Sequence, residues 1–418
     1  MIKLLDKSKI SLFNYFYIFC MFIYAGSATV FARGIGDVGT LGNAIALMLT
    51  ILFYIANKIK LTKPYHLSIA VFMLYAVITT INNWMISPRW IFEWIIWLTI
   101  AYGICQGFRE RLFVVVETVL YHLSIISLIC WFIHLTRPGL MTNIVTTLEF
   151  SRPYEEDGNV FANMIIYTIN NIGEGTGYEF SLFLRNAGFA WEPGAFACFV
   201  CLGIYCNILR TGFRFRNRSL LVFLLTLLTT QSTTGFIILL VMILLWLVIN
   251  GKYLYLLLLL PVIVMVFNLP FVRFKLFEEI NNLQYHDIME ESGSEGRLFS
   301  FQLSLQEFLR HPIIGLGGYA QGTWLARQGY DIAIISGIGN LLVYYGTVMT
   351  ILFIVLIKKA CKYIRTVTNS RNSWLLYVVI LGMMISFNLW KQPIYIAFWM
   401  YGVYASGNKK PRRANVSA

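Results

Sequence analysis

Charge is scarce in this 418-residue chain. Asp, Glu, Lys and Arg make up 13% of it, where soluble domains carry about 25%. Apolar residues reach 58% and mean hydropathy is +0.67. These values exclude an ordinary soluble enzyme, a disordered chain, a collagen-like repeat and a secreted disulfide scaffold. Length alone suggests about three soluble domains. The apolar content points instead to one polytopic membrane protein whose solvent is largely lipid. Nucleotide and metal signatures are missing too: neither G-x-x-x-x-G-K-[ST] nor H-E-x-x-H occurs. Glu155-Glu156-Asp157 is a consecutive acidic run before Gly158 and reads as a solvated turn. No metal and no cofactor is expected.

The seven cysteines are Cys20, Cys105, Cys130, Cys198, Cys201, Cys206 and Cys361. Six lie in apolar runs and Cys361 in a basic stretch, so none is placed to staple an external loop. Cys198-x-x-Cys201 has no second pair and reads as small residues facing lipid or helices. The first apolar stretch follows Lys3, Lys7 and Lys9 and shows no small-residue cleavage site. It is expected to stay as an anchor.

Apolar runs of spanning length are what the chain has in abundance. A spanning helix needs roughly 17–25 mostly apolar residues. Candidates fall at 12–33, 41–57, 67–87, 90–107, 112–135, 193–210, 219–231, 235–250, 253–269, 336–357, 373–389 and 391–406. The stretch 219–250 is interrupted only by Gln231-Ser232-Thr233-Thr234-Gly235, so it is one long helix or a hairpin of two. Loop charge decides, because Lys and Arg gather on the cytoplasmic side. With the hairpin, 22 of the 33 basic residues fall on one side, against only Asp6 and Glu110. With one helix, the five cations from Lys358 to Arg371 change sides and the pattern breaks.

The expectation is therefore an all-α fold of about twelve transmembrane helices, both termini cytoplasmic, with two long periplasmic loops that contain short helices. It divides into helices 1–5 (1–135), a first loop (136–192), helices 6–9 (193–269), a second loop (270–335), and helices 10–12 with a basic tail (336–418). The net charge of +13 is the positive-inside pattern plus attraction to anionic lipid. It is not a nucleic-acid footprint.

Polar chemistry concentrates in the two loops. The first ends in Leu184-Arg185-Asn186-Ala187-Gly188-Phe189-Ala190-Trp191-Glu192-Pro193-Gly194. Proline suits the first helical position, which sets Glu192 at a helix N-terminus that favours an anion. Glu192 is either a helix anchor or a general base, with Arg185 as a nearby anion contact. In the second loop, Leu298, Phe301, Leu305, Phe308 and Leu309 follow helical spacing, with Arg297, Ser300, Ser304 and Glu307 on the other face. Ser294 as N-cap places Arg297 in the first turn, where an arginine and open N–H groups suit phosphate. The competing reading is a helix flat on the bilayer with its charges solvated. Arg310-His311-Pro312 ends this helix, and Gly315-Leu316-Gly317-Gly318 reads as a flexible turn. His311 is an acid/base candidate or a polar cap, and His286 has no evident partner. Glu93 pairs with Arg89 at i−4, while Glu117 is close enough to the cytoplasmic end to reach headgroups. No run of charges crosses several spans, and no internal repeat is seen.

Together these features resemble the O-antigen polymerase and ligase superfamily. The resemblance rests on the topology, on Arg185…Glu192-Pro193-Gly194, on the Ser/Thr-Gly break between two short spans, and on Gly296-Arg297…His311-Pro312…Gly315-x-Gly317. It implies a metal-independent glycosyltransferase in the bacterial inner membrane, acting on undecaprenyl-diphosphate-linked oligosaccharide as donor and acceptor. By the same resemblance Arg185, Arg297 and Arg310 would hold the diphosphate, Glu192 would be the catalytic base, and a chain-length regulator is a further partner. Ligases of the family carry a histidine where this chain has Ser336-Gly337-Ile338-Gly339-Asn340, and an arginine in the break where it has Ser232-Thr233-Thr234. Both departures favour polymerase over ligase. A lipid-linked oligosaccharide flippase is the alternative from another class; it would show related halves and charges within spans.

Overall fold

Among the described residues, each of the twelve apolar segments contains helix, and several of these helices begin at a residue whose chemistry suits it. The computed structural model describes residues 10–29, 38–85, 87–148, 150, 161–170, 184–214, 216–270, 272–273, 277, 297–319, 322–327, 334 and 336–408. In chain order the helices are α1 (Leu12–Gly26), α2 (Val38–Ala56), α3 (Lys63–Asn83), α4 (Pro88–Phe108), α5 (Leu112–Thr136) and α6 (Pro138–Thr147). A two-stranded antiparallel hairpin follows, β1 (Phe161–Asn163) and β2 (Thr168–Asn170), in a chain expected to be all-α. Then come α7 (Pro193–Thr211), α8 (Arg218–Thr230), α9 (Thr233–Ile249), α10 (Leu254–Phe267), α11 (Arg297–Arg310) and α12 (Trp324–Arg327). The last are α13 (Gly337–Thr368), α14 (Leu375–Ser386), α15 (Pro393–Trp399) and α16 (Tyr401–Tyr404). Proline opens α4, α6, α7 and α15, where its missing N–H costs nothing.

Among the described residues, four helical stretches are long and apolar enough to cross a membrane: Lys63–Asn83, Pro88–Thr136 (α4 with α5), Pro193–Thr211 and Gly337–Thr368. Most of the other apolar segments give helices of 17 residues or fewer. The largest difference from the expected layout lies at the end of the chain. Segments 373–389 and 391–406 give a twelve-residue α14, a 3-10 turn Leu389–Lys391, a seven-residue α15 and the short α16. Hydropathy registers apolarity and is blind to the backbone break there.

Helix α7 is the axis. Every residue from Pro193 to Leu209 is buried, Cys198, Cys201 and Cys206 among them, so these cysteines face helices and not lipid. All seven thiols are free. Contacts along α7 resolve the 219–250 ambiguity. A Cβ at Gly203 would touch Phe223, and one at Gly235 would touch Ala197, while Phe213 packs its ring on Trp246. Chain direction thus reverses at Gln231-Ser232, with α8 antiparallel and α9 parallel to α7. The hairpin that loop charge required is the one that forms.

One end of the bundle collects the basic loops. There Tyr102 Oη donates to the Lys60 carbonyl, and Asn250 meets Asn372. Glu117 lies at this end but does not reach headgroups. It is buried, accepting from Asn207 Nδ2 at 2.7 Å and, in a bidentate pair, from Arg210 Nη2 at 2.7 Å and Nε at 2.8 Å. The expectation missed its partner because Arg210 was counted as a loop cation. Arg89 and Glu93 do pair at 3.3 Å, as their spacing requires.

Removing one member of a buried ion pair costs about 3–5 kcal/mol. Glu117→Ala is expected to lower the thermal stability of the detergent-solubilised protein sharply, and Glu117→Gln less so. An unchanged melting profile in Glu117→Ala would leave the pair without a structural role.

Candidate functional site

The segment Leu184–Glu192 lies across the other end of the bundle, held by the helices beneath it. Trp131 Nε1 of α5 donates to the Leu184 carbonyl at 2.6 Å. Asn186 is fully buried: its Nδ2 donates to Thr229 Oγ1 and Ser127 Oγ, and its Oδ1 accepts from Gly188 N–H. The hairpin reaches the same segment through Thr168 N–H, which donates to the Gly188 carbonyl. Phe189 plugs the gap between Phe22, Phe196 and Phe199. This pinning fixes the two residues of interest. Arg185, half-buried, donates from Nε to the Thr230 carbonyl at 3.0 Å, which takes one of its five N–H donors. It therefore stands at the turn between α8 and α9. Glu192 is the half-buried N-cap residue of α7, and its side chain makes no bond to the helix it caps.

Three helices start beside one another here. A Cβ at Gly194, in the first turn of α7, would meet the Phe387 ring at 2.6 Å and Ser232 Oγ, the N-cap of α9, at 3.6 Å. Thr234 of α9 bonds Ser386 at 2.6 Å. Ser336, N-cap of α13, donates to the Met384 carbonyl, and Gly337 abuts the Phe387 carbonyl. The N-termini of α7, α9 and α13 thus meet around Ser386–Phe387, each with open N–H groups and partial positive charge. Such an arrangement is suited to an anion.

The second loop contributes α11, which packs on α13: a Cβ at Gly339 would meet Ser304 Oγ at 2.5 Å. The polar face of α11 turns inward. Ser300, Ser304 and Glu307 are all buried, while Leu305 and Leu309 are exposed. That corrects the reading of a helix lying on the bilayer with solvated charges. Glu307 Oε1 accepts from Trp324 N–H at 2.9 Å, and Asn340, buried in α13, has an Oδ1 with no partner. The sequence places Glu307 on the polar face and Asn340 in the segment that departs from the ligase pattern, and assigns neither a role. The signal was present in the 300-304-307 spacing, but a polar stripe is as readily solvated as buried.

Arg297 opens α11; its side chain, Ser294, His286 and Glu155-Glu156-Asp157 lie outside the described residues. Arg310 closes the helix, about 20 Å further along the axis at 1.5 Å per residue. It is exposed, with its guanidinium 4.5 Å over the Trp324 ring. The structure thus holds Arg310 and Arg297 at opposite ends of α11. His311 caps the helix through its backbone, donating to the Phe308 carbonyl and accepting from Gly315 N–H.

The stretch after His311 is not the flexible turn its glycines suggest. Helix α13 is broken at Gly346, which has φ 65° and ψ −173°. Residues Pro312–Gly317 fill the break. The N–H groups of Thr347 and Val348 donate to the Pro312 and Ile313 carbonyls, and those of Leu316 and Gly317 donate to Val343 and Tyr344. Tyr75 Oη donates to both Ile314 and Tyr344 carbonyls. Gly315 sits at φ 74°, where a Cβ would lie 2.7 Å from Gly346 N. Only glycine allows the backbones this close.

Behind the break, α3, α4, α13 and α15 border an apolar groove of about 230 Å³, lined by Phe72, Trp94, Tyr345, Phe353, Trp390 and Trp399. On α13 it extends from Leu341 to Lys359 at the basic end.

Residues 219–346 match a family model described as O-antigen ligase. The match covers α8 to Gly346 of α13, under a third of the chain, and supports the resemblance to the O-antigen polymerase and ligase superfamily. No curated protein matches the chain.

Gly315→Ala is expected to undock α11 from α13. A cysteine pair at Ser304 and Gly339 should cross-link readily in the parent and at least several-fold more slowly in the variant. Equal cross-linking would show that the filled break does not position α11.

Proposed function

We propose that this protein is a membrane-embedded glycosyltransferase that polymerises undecaprenyl-diphosphate-linked oligosaccharide repeat units. The product is O-antigen or a related surface polysaccharide, made on the periplasmic face of the inner membrane. The carrying observation is the meeting of three helix N-termini with Arg185 and Glu192 at one end of the bundle. The match of residues 219–346 supports the broader class of enzyme.

The chemistry suits these groups. An acceptor sugar hydroxyl attacks the anomeric carbon of the donor. The bond from that carbon to the diphosphate oxygen breaks, and its electron pair leaves on the lipid diphosphate. Arg185, Arg297 and the helix N-termini neutralise that leaving group without needing a metal. Glu192 takes the hydroxyl proton late in the step. Arg310, stacked on Trp324 at the far end of α11, is left out of this reading. His311 is assigned the capping role.

A ligase transferring the finished chain to a lipid A core sugar is the second reading, favoured by the description of the matched family. Against it stand Ser336 and Asn340 where ligases carry a histidine. Chains from a deletion strain discriminate the two, since loss of a ligase leaves long polymer unattached to core.

Arg185→Ala and Arg297→Ala should each lower transfer by about 10²-fold, the scale of losing one charge-stabilising donor. Lipopolysaccharide gels would then show single repeats and no ladder. Normal chain-length distributions in both variants would remove this reading. Glu192→Gln should also abolish polymerisation; full activity would reduce Glu192 to a helix anchor.

A further inference from the structure

The apolar groove between α3 and α13 contains none of the groups used in the proposed reaction, and its two walls follow one pattern. Pro64, Leu67, Ser68, Val71 and Phe72 of α3 have the spacing of a single helix face. Leu341, Tyr345, Met349, Leu352, Leu356 and Lys359 run down one face of α13 opposite them. The floor is aromatic. Trp94, Trp390 and Trp399 are buried there, and Phe353 packs its ring on both Trp390 and Trp399. The rim is open, with Leu67 and Val71 exposed and Leu352 and Leu356 half-buried. Both wall helices are long and apolar enough to cross a membrane, so this rim faces hydrocarbon.

The two ends of the groove differ. At one end Tyr75 of α3 donates to the Tyr344 carbonyl and stacks its ring on Tyr345, which draws α3 and α13 together. Nearer the basic loops, Ser68 of α3 bonds Tyr404 of α16 instead, behind the groove. The stretch from Met349 to Lys359 measures about 15 Å at 1.5 Å per residue, half of a roughly 30 Å hydrocarbon core. Its depth is that of one leaflet.

Charge at the mouth selects the kind of lipid. Lys359 lines the groove, is exposed and, among the described residues, has no ion pair. Lys63 precedes Pro64 on the facing wall, and Lys362 follows Lys359 on α13; both are exposed. The carboxylates described at this end are Glu117 and Glu110. Glu117 is engaged by Arg210 and Asn207. Glu110 lies near Tyr363 and Tyr401, between Arg109 and Arg111 in the chain. Cations therefore outnumber carboxylates around the mouth. Basic pockets between membrane helices on the cytoplasmic side hold the headgroups of anionic lipids, and an apolar groove of leaflet depth continues from this one.

We propose that the groove binds an anionic phospholipid of the cytoplasmic leaflet, with its phosphate at Lys359 and an acyl chain laid along Phe353, Trp390 and Trp399. The orientation is that of the loop charges, and the inference is independent of the glycosyltransferase reading. The bound chain fills the gap between α3 and α13 and braces α13 beyond Gly346.

The test is tryptophan fluorescence of the purified full-length protein in phosphatidylcholine nanodiscs. The probe is phosphatidylglycerol brominated on its acyl chains, which quenches tryptophans that it touches. Quenching of the parent should saturate at a low fraction of this lipid, whereas brominated phosphatidylcholine should quench only gradually. Lys359→Gln should raise the fraction needed for half-quenching by about fivefold, the worth of one lysine near an anionic surface. Val71→Phe narrows the rim with every charge in place and should remove the saturable component. Lys252→Gln takes a cation from the same end but outside the groove, and should change nothing. A neutral polyprenol, which has a long chain and no charge, should not displace the probe. An unchanged half-quenching fraction in Lys359→Gln, or an equal shift in Lys252→Gln, overturns the site. Equal saturation by brominated phosphatidylcholine overturns the anionic assignment, and displacement by polyprenol overturns it in favour of a prenyl chain.

Discussion

In a protein surrounded by hydrocarbon, every backbone N–H and carbonyl must find a partner within the protein. The filled break in α13 is where this constraint shapes the molecule most. Ending the helical ladder at Gly346 frees polar groups in an apolar setting. The Pro312–Gly317 segment supplies their partners, and Tyr75 adds a third contact from α3. Because that segment follows directly on α11, satisfying α13 also fixes where α11 lies. The polar face of α11 is thereby held against the start of α13, which makes α11 part of the bundle.

The same constraint orders the site. The turn at Gln231-Ser232, the start of α13 at Ser336 and the end of α14 at Ser386–Phe387 lie together. Helices α9 and α13 present their N-termini to this place, where α7 also begins. Oriented backbone groups need no reorganisation when charge develops nearby, which is the basis of electrostatic preorganisation. Arg185 belongs to this design twice over. It closes the end of α8 through the Thr230 carbonyl, and it adds positive charge beside the N-terminus of α9.

Much of this was legible in the amino-acid order, and the failures have physical causes. Loop charge resolved the α8–α9 turn, because positive-inside bookkeeping is a property of the whole chain and tolerates local ambiguity. The Arg89–Glu93 pair and the end of α11 at Arg310 follow from spacing along a single helix. Contacts between distant segments were not readable. Glu117 and Arg210 are 93 positions apart and meet only through the packing of α5 on α7. Gly315 reads as part of a flexible turn and is instead a close approach to Gly346. Ser300, Ser304 and Glu307 had the spacing of a solvated stripe, but in a membrane protein the polar side of a helix can be its interior side. The hairpin β1–β2 lies in a loop with no periodicity to announce it.

The filled break also says how the second loop can move. Residues Pro312–Gly317 are tied to α13 on both sides of Gly346, whereas α11 leaves them through the single backbone of His311. A displacement of α11 away from α13 is therefore a swing about His311, a door hung on one hinge whose frame is the long helix itself.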